Sequence, residues 1–135
     1  RTFESKKQKG AEVDLSSVFA NSVKKVVRTV ILDQKDHLEV TDRLETGDKE
    51  AAVSWIMVTP AEAKITGKNR MELTKDGQRM LLTVDADTEV EMKTWSNVPP
   101  HEYDFRNPGT IRVGFETVIP ANRASQLKVR LIPLK

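Results

Sequence analysis

The chain alternates between apolar and polar residues, or carries short apolar runs, along most of its length after residue 22. Runs of this kind, separated by turn residues, are typical of the strands of a sandwich or barrel. No segment has the apolar spacing of a convincing helix, so we predict an all-β fold, an antiparallel β-sandwich. The predicted strands are Val23–Asp33, Leu38–Leu44, Ala51–Val58, Arg70–Thr74, Arg79–Val84, Thr88–Trp95, Ile111–Ile119 and Gln126–Ile132.

The first two predicted strands carry one charged pair among apolar residues. A turn near residues 34 and 35 that places Leu32 opposite Leu38 also places Arg28 opposite Asp42, because opposed residues keep a constant index sum. Two such charges are costly to bury unless each satisfies the other. We therefore expect this pair to fix the register of the two strands.

Other local patterns predict how the remaining chain is arranged. Ala51–Val58 is apolar on both faces, one of which carries Trp55, and this favours a central strand covered on both sides. Asp76-Gly77 supplies the positive φ angles that a two-residue hairpin needs. Near the N-terminus, we expect a turn or short helical segment in which Leu15 and Phe19 pack down onto the core.

Composition limits the classes of function. The 135 residues suffice for one domain with a real core, and 22 basic against 20 acidic residues leave a net charge of +2, which gives little support for nucleic-acid or anionic-membrane binding. No apolar run approaches the length of about 20 residues that crosses a bilayer. The absence of cysteine excludes a disulfide framework and thiolate ligands. Because the chain begins at Arg1 without an initiator Met, we expect a processed protein or a piece of a longer one.

Five short motifs follow one another between about Glu12 and Pro133. Their order and spacing resemble the C-terminal β-sandwich domain of the heparinase II/III-like polysaccharide lyases. The motifs are Asp14-Leu15-Ser16 with Phe19, Arg28-Thr29-Val30, Leu38-Glu39-Val40-Thr41-Asp42, Trp55-Ile56-Met57-Val58-Thr59, and Phe115-Glu116-Thr117-Val118-Ile119-Pro120.

The resemblance implies a large exported enzyme, periplasmic or extracellular, in which an α/α toroid precedes antiparallel sheets. Such enzymes cleave acidic polysaccharides, including glycosaminoglycans, by β-elimination. A base removes the proton beside the uronate carboxylate, and an acid, commonly Tyr or His, protonates the leaving oxygen. Most of these groups belong to parts of the enzyme that precede this domain. Residues 1–135 would then form a single domain at the C-terminal end of a larger lyase, without catalytic residues or cofactors of its own.

One position departs from the family pattern. The family often has His where this chain has Val58, and that His can help to bind a structural zinc. Val58 cannot coordinate a metal, and no His-rich cluster replaces it, so we assign no metal site. Within the motif that contains Val58, Trp55 carries the resemblance and is assigned a structural role with Arg28 and Asp42.

The candidate substrate-binding residues are Trp95, His101, Tyr103 and Arg106. On the strand Thr88–Trp95 the alternation places Trp95 on the polar face, beside the loop that holds the other three. An exposed indole could stack on a sugar ring while His and Arg pair with a carboxylate or sulfate. The alternative is that these aromatic residues plug the end of the sandwich or dock against the toroid.

Two further functions stay open. A free-standing carbohydrate-binding module would be centred on Trp95 and Tyr103, and an immunoglobulin-like adhesion or assembly domain would present an exposed, unpaired edge strand. Other candidates for chemistry are weaker. We expect His37 to be a solvated turn residue. The acidic run Asp85–Glu91 would place its four carboxylates on one side if the strand continued without a break, and we expect a solvated acidic face, since a straight strand spreads its carboxylates too far apart for calcium.

Overall fold

The computed structural model describes residues 1–5, 7–19, 23–96 and 110–134. Within these ranges the chain forms strands and turns and no helix. None of the described segments could cross a membrane as a long apolar helix. The strands are β1 Thr2–Glu4, β2 Gln8–Asp14, β3 Lys25–Asp33, β4 Leu38–Glu45, β5 Ala51–Thr59, β6 Glu62–Gly67, β7 Arg70–Lys75, β8 Gln78–Ala86, β9 Val90–Ser96, β10 Ile111–Ile119 and β11 Ala124–Leu134.

The strands form two antiparallel sheets. The larger sheet has eight strands in the order β1-β2-β3-β4-β11-β8-β7-β6, and the smaller has three in the order β5-β10-β9. Both sheets contribute buried side chains to one hydrophobic cluster, which confirms the predicted all-β sandwich. The most deeply buried side chains are Phe115, Met71, Leu82, Ile119, Leu127, Val113 and Val129.

All eight predicted strands are present, with ends that differ from the prediction by no more than two residues. The structure adds β1, β2 and β6, which the sequence pattern did not predict. All three lie at or next to an end of the larger sheet. Their composition explains the omission, because Gln8–Asp14 and Glu62–Gly67 mix charged residues and glycine with few β-branched ones.

The prediction that Ala51–Val58 is a central strand is wrong. β5 pairs with β10 along its whole length but ends the order of the three-stranded sheet, so within the described residues its other edge is unpaired. Its inward face is packed, with Trp55 6% exposed, whereas Ile56 and Val58 on the other face are 46% and 52% exposed. The described part of the sandwich therefore does not bury the apolar side chains on the outer face of β5.

The predicted turns are largely confirmed. Asp76 and Gly77 both have positive φ, 52° and 78°, in the hairpin between β7 and β8. In the N-terminal turn, the Asp14 side chain accepts a hydrogen bond from the Ser16 N–H, and Leu15 packs against the core. The expectation for Phe19 is wrong, since this side chain is 45% exposed and the described turn does not press it into the core.

Gly114 allows β10 to lie close to β5. A Cβ atom at this position would collide with the main-chain carbonyl of Trp55. Only glycine avoids that collision, so Gly114 is required for the close packing of the β10 backbone against that of β5.

Within the described residues, Thr46 joins two of the four connections in which the chain passes from one sheet to the other. Its hydroxyl donates to the Pro120 carbonyl at 2.6 Å and accepts from the Arg123 N–H at 3.0 Å. The Thr46 N–H donates in turn to the Arg123 carbonyl at 3.0 Å. Because Thr46 is only 4% exposed, these bonds fix the β4–β5 connection to the β10–β11 connection in the interior.

We predict that Thr46→Val lowers the free energy of unfolding by about 1–3 kcal/mol, because the isosteric methyl group leaves the partly buried Pro120 carbonyl and Arg123 N–H without the hydroxyl. Urea denaturation followed by circular dichroism measures this change. The matched control is Thr66→Val on the exposed face of β6, which should alter stability by no more than about 0.5 kcal/mol. Equal effects of the two substitutions would contradict the role given to Thr46.

Candidate functional site

Trp95 lies on the outer face of the three-stranded sheet, the face turned away from the core. The alternation of each strand and the pairing between strands define this face. Val90 and Met92, on the opposite face of β9, pack with the core, whereas Thr94 is exposed. The outer face is formed by Ala52, Ser54, Ile56 and Val58 of β5, by Arg112, Gly114, Glu116 and Val118 of β10, and by Glu91, Lys93 and Trp95 of β9.

Arg112 is the nearest cross-strand neighbour of Trp95. The two residues are paired between β9 and β10, and Val58 lies beyond Arg112 in the same row. The guanidinium of Arg112 donates from Nε and Nη2 to the Ser96 carbonyl, at 3.2 and 2.9 Å. Trp95 is half-buried. A half-exposed indole thus lies beside a fixed cation, and this combination suits a sugar ring that carries an anionic group.

Of the four predicted substrate-binding residues, only Trp95 is described by the structure. His101, Tyr103 and Arg106 lie outside the described residues, in the range 97–109. Their proximity to Trp95 therefore stays a prediction. Arg112 was not predicted, although its place in the alternation of β10 puts it on the same face as Trp95.

The outer face also carries an ion pair between β9 and β10. The Lys93 ammonium is 2.6 Å from the Glu116 carboxylate across β9 and β10. The hydrogen bond to Glu116 raises the pKa of Lys93, with smaller contributions from the charges of Glu116 and Glu91. Both side chains are more than a third exposed, so the pair adds little stability but fixes a charge pattern on this face.

The predicted pairing of Arg28 with Asp42 is present in the structure. Arg28 and Asp42 are opposed in the β3–β4 ladder, as are Leu32 and Leu38. Arg28 donates from Nε to Asp42 Oδ1 at 2.7 Å and from Nη2 to Oδ2 at 2.8 Å. Their side chains are 40% and 8% exposed, and the hydrogen bonds to Asp42 raise the pKa of Arg28. The guanidinium shields an otherwise isolated, buried carboxylate.

Trp55 stacks against Phe115 in the core, with ring centroids 6.0 Å apart and ring planes 6° from parallel. Its indole Nε1 is buried and has no hydrogen-bond acceptor among the described residues. Trp55, Arg28 and Asp42 also line one cavity of about 410 Å³. The other residues of its wall are Leu15, Phe19, Val23, Val26, Leu44, Ala51, Ala52, Val53, Ser54 and Leu127.

His37 is the one histidine among the described residues. His37 is in the turn after β3. Its main-chain N–H donates to Asp33 Oδ1 at 3.0 Å, and its ring Nδ1 is 3.6 Å from Asp33 Oδ2. The hydrogen bond from the His37 N–H is the largest of the causes that lower the pKa of Asp33. This agrees with the turn role expected for His37.

The structure also shows the position at which the family often has a metal-binding His. Val58 is 52% exposed on the outer face. Within residues 1–5, 7–19, 23–96 and 110–134, no group of three or more His, Cys, Asp or Glu side chains is close enough to hold a metal ion.

The acidic run does not form a continuous strand. β8 ends at Ala86 and β9 begins at Val90, so the chain passes from the larger sheet to the smaller between them. In this crossing, Asp87 accepts a hydrogen bond from Ser125 and contacts Arg123 at 3.5 Å. The four acidic residues of the run are exposed, as expected, but they do not share one strand face, and Asp87 helps to hold the crossing in place.

The comparisons with known proteins show a fold. The structure is similar to that of heparinase III, with a TM-score of 0.71 and 13% sequence identity over 99% of this chain and 20% of that chain. A heparan sulfate lyase, HepC from Pedobacter heparinus, gives a TM-score of 0.65 and 15% identity over 100% of this chain and 21% of that chain. A mutant of the same lyase gives 0.68 and 16%, with the same coverage.

The chain therefore spans about one fifth of the length of these lyases. The resemblance inferred from the sequence is confirmed in that the structural neighbours are heparinase III and HepC lyases, of which this chain corresponds to a part. At such low identity the likeness extends to the fold. No protein-family model matches the sequence, and no curated protein matches it.

We predict that Arg28→Met lowers the free energy of unfolding by about 2–4 kcal/mol, because it leaves the Asp42 carboxylate buried without its partner. The double variant Arg28→Met, Asp42→Leu should be more stable than the single variant, since it removes both charges together. Urea unfolding of the two single variants and the double variant measures the coupling.

The control for this cycle is Arg130→Met on the opposite face of the larger sheet. Arg130 is 54% exposed in its pair with Glu39, so its loss should cost no more than about 1 kcal/mol. If Arg28→Met cost no more than Arg130→Met, the Arg28–Asp42 pair would not be holding the strands in register.

Proposed function

We propose that this chain is the C-terminal accessory β-sandwich domain of a heparinase II/III-like polysaccharide lyase. The parent enzyme cleaves an acidic polysaccharide of the glycosaminoglycan type by β-elimination, with catalytic groups mainly outside this span. One observation carries the proposal: the whole chain, rather than a part of it, has the fold of about one fifth of heparinase III. The names of the structural neighbours suggest heparan sulfate as the polysaccharide.

The accessory role is supported by what the described residues offer. β-Elimination needs a base near the uronate, an acid at the leaving oxygen and a group that stabilises the intermediate anion. His37 is held in a hairpin turn beside Asp33, and Arg28 and Asp42 are bound to each other by two hydrogen bonds. These arrangements stabilise strands and turns, so we assign chemistry to an α/α toroid elsewhere in the same protein.

A contribution to substrate binding is the second part of the proposal. Trp95 and Arg112 present an indole and a guanidinium side by side on the outer face of the three-stranded sheet. His101, Tyr103 and Arg106 follow Trp95 closely in the chain and could extend this surface. The same residues are the basis of the alternative function, a free-standing carbohydrate-binding module.

A lyase of this type must be exported to reach its polysaccharide. We therefore propose a periplasmic or extracellular location for the parent protein. An immunoglobulin-like assembly domain is the third candidate, and the edge of β5 that is unpaired within the described ranges is the observation that favours it.

We predict that the 135-residue chain alone releases no unsaturated uronate products from heparan sulfate, whereas the longest protein encoded by its gene does. Ultraviolet absorbance of the unsaturated product measures both reactions. Product formation by the isolated chain would overturn the accessory role. A gene that encodes no further domain would overturn the assignment to a lyase.

We predict that the Trp95→Ala variant of the longest encoded protein binds heparan sulfate about tenfold more weakly, because stacking on one aromatic ring contributes about 1 kcal/mol or somewhat more. Calorimetry with a catalytically inert form of that protein measures the affinity. The control is Val118→Ala, which shortens an apolar side chain on the same face, 51% exposed, and should leave affinity unchanged. Equal affinities for the two variants would remove Trp95 from the binding surface.

A further inference from the structure

β5 is an unusual edge strand. Proteins protect sheet edges by keeping them short or by placing charges, prolines or bulges in them, because an open edge pairs with other chains. β5 has nine residues, AAVSWIMVT, with no charge and no proline, and its ladder with β10 runs without a register shift. The edge that no described strand covers therefore has none of the usual protections.

The other edges in the described part of the chain are protected. β1 has only three residues. β6 carries Glu62 and Lys64 and has an irregularity between Ile65 and Gly67. β9 carries Glu91 and Lys93. β5 therefore differs from the other edge strands of the described residues, and this difference indicates that another polypeptide segment covers its edge.

The cavity beside Trp55 runs along this same edge. Five consecutive residues of β5, from Ala51 to Trp55, line it. Consecutive residues of a strand point to opposite faces, so a cavity that meets all of them faces the edge of the strand. Across the gap lie Val26 and Arg28 of β3, with Leu15 and Phe19 of the N-terminal turn.

The chemistry of the cavity suits an extended polypeptide. Its walls are mainly apolar, and the Trp55 indole N–H lacks an acceptor among the described residues. A strand added to β5 would bring main-chain carbonyls to the edge and alternate side chains into the cavity. Beyond the cavity, Ile56 and Val58 are about half exposed and would be partly covered by the same strand.

We propose that an extended, uncharged segment from the remainder of the parent enzyme adds to the free edge of β5 and extends the three-stranded sheet to four strands. This proposal rests on the proposed function, because the lyases of similar fold have about four fifths of their chain outside the matched span. That polypeptide supplies the segment. Alternate large apolar side chains of the segment fill the cavity, and one of its oxygen atoms accepts from Trp55 Nε1.

The test is hydrogen exchange of the β5 amides. In an antiparallel edge strand, alternate amides point away from the neighbouring strand, and such exposed amides exchange quickly. We expect fast exchange at alternate β5 residues in the 135-residue chain. In the longest protein encoded by the gene, we expect exchange at the same amides to be slower by about 100-fold or more, because they are hydrogen-bonded to the added strand.

Two matched variants separate edge pairing from contact with the face. Ile56→Lys places a charge on the edge strand, where the side chain is 46% exposed, and Val118→Lys places one on the central strand, where it is 51% exposed. In the longer protein, Ile56→Lys should reduce the protection of the β5 amides by about tenfold or more, and Val118→Lys should leave it unchanged. Unfolding of both variants of the 135-residue chain checks that neither loses its fold.

Four results would overturn the proposal. Fast exchange of the alternate β5 amides in the longer protein would do so while leaving the proposed function intact. Equal loss of protection in the two lysine variants would mean that the partner docks on the face. Protection in the 135-residue chain together with dimeric sedimentation would identify a second copy as the occupant. A gene that encodes this span alone would overturn both proposals.

Discussion

The bidentate ion pair between Arg28 and Asp42 fixes the alignment on which most of the larger sheet depends. With these two residues opposed, Val30 meets Val40 and the next strand, β11, places Leu127 beside Asp42. A slip of one residue would turn every apolar side chain of β3 to the opposite face. It would also separate a carboxylate that is 8% exposed from its cation. An apolar pair could slide at lower cost, so the charges specify the arrangement more than they add to stability.

The sequence was most informative where short-range rules determine the structure. The constant sum of opposed residue numbers predicted that Arg28 lies opposite Asp42, and Asp76-Gly77 predicted a hairpin. Both predictions depend only on residues that are close in the chain. Charged strands such as Gln8–Asp14 were missed, since their formation depends on pairing with β3 rather than on their own propensity. The face of Trp95 followed from alternation, whereas Arg112 became its neighbour only through a pairing between strands distant in the chain.

β5 shows the limit of reading burial from composition. Its two apolar faces favoured a strand covered on both sides, whereas Ile56 and Val58 on one face are about half exposed in the structure. The cavity beside Trp55 was equally hidden, because it is formed by residues from β3, β4, β5 and the N-terminal turn. The role of Thr46 could not be predicted from the sequence either. Its position in the sequence resembles any threonine at a strand end, and only the return of the chain at Arg123 gives it two partners.

The two tryptophans occupy opposite faces of the same three-stranded sheet. Trp55 is 6% exposed and stacked on Phe115, whereas Trp95 is half-buried at the surface two strands away. Their fluorescence consequently reports on different environments. A collisional quencher in solution reaches the surface indole and is excluded from the core one. With only two tryptophans in the chain, the emission divides into a component sensitive to events on the outer face and one sensitive to the packing between the sheets.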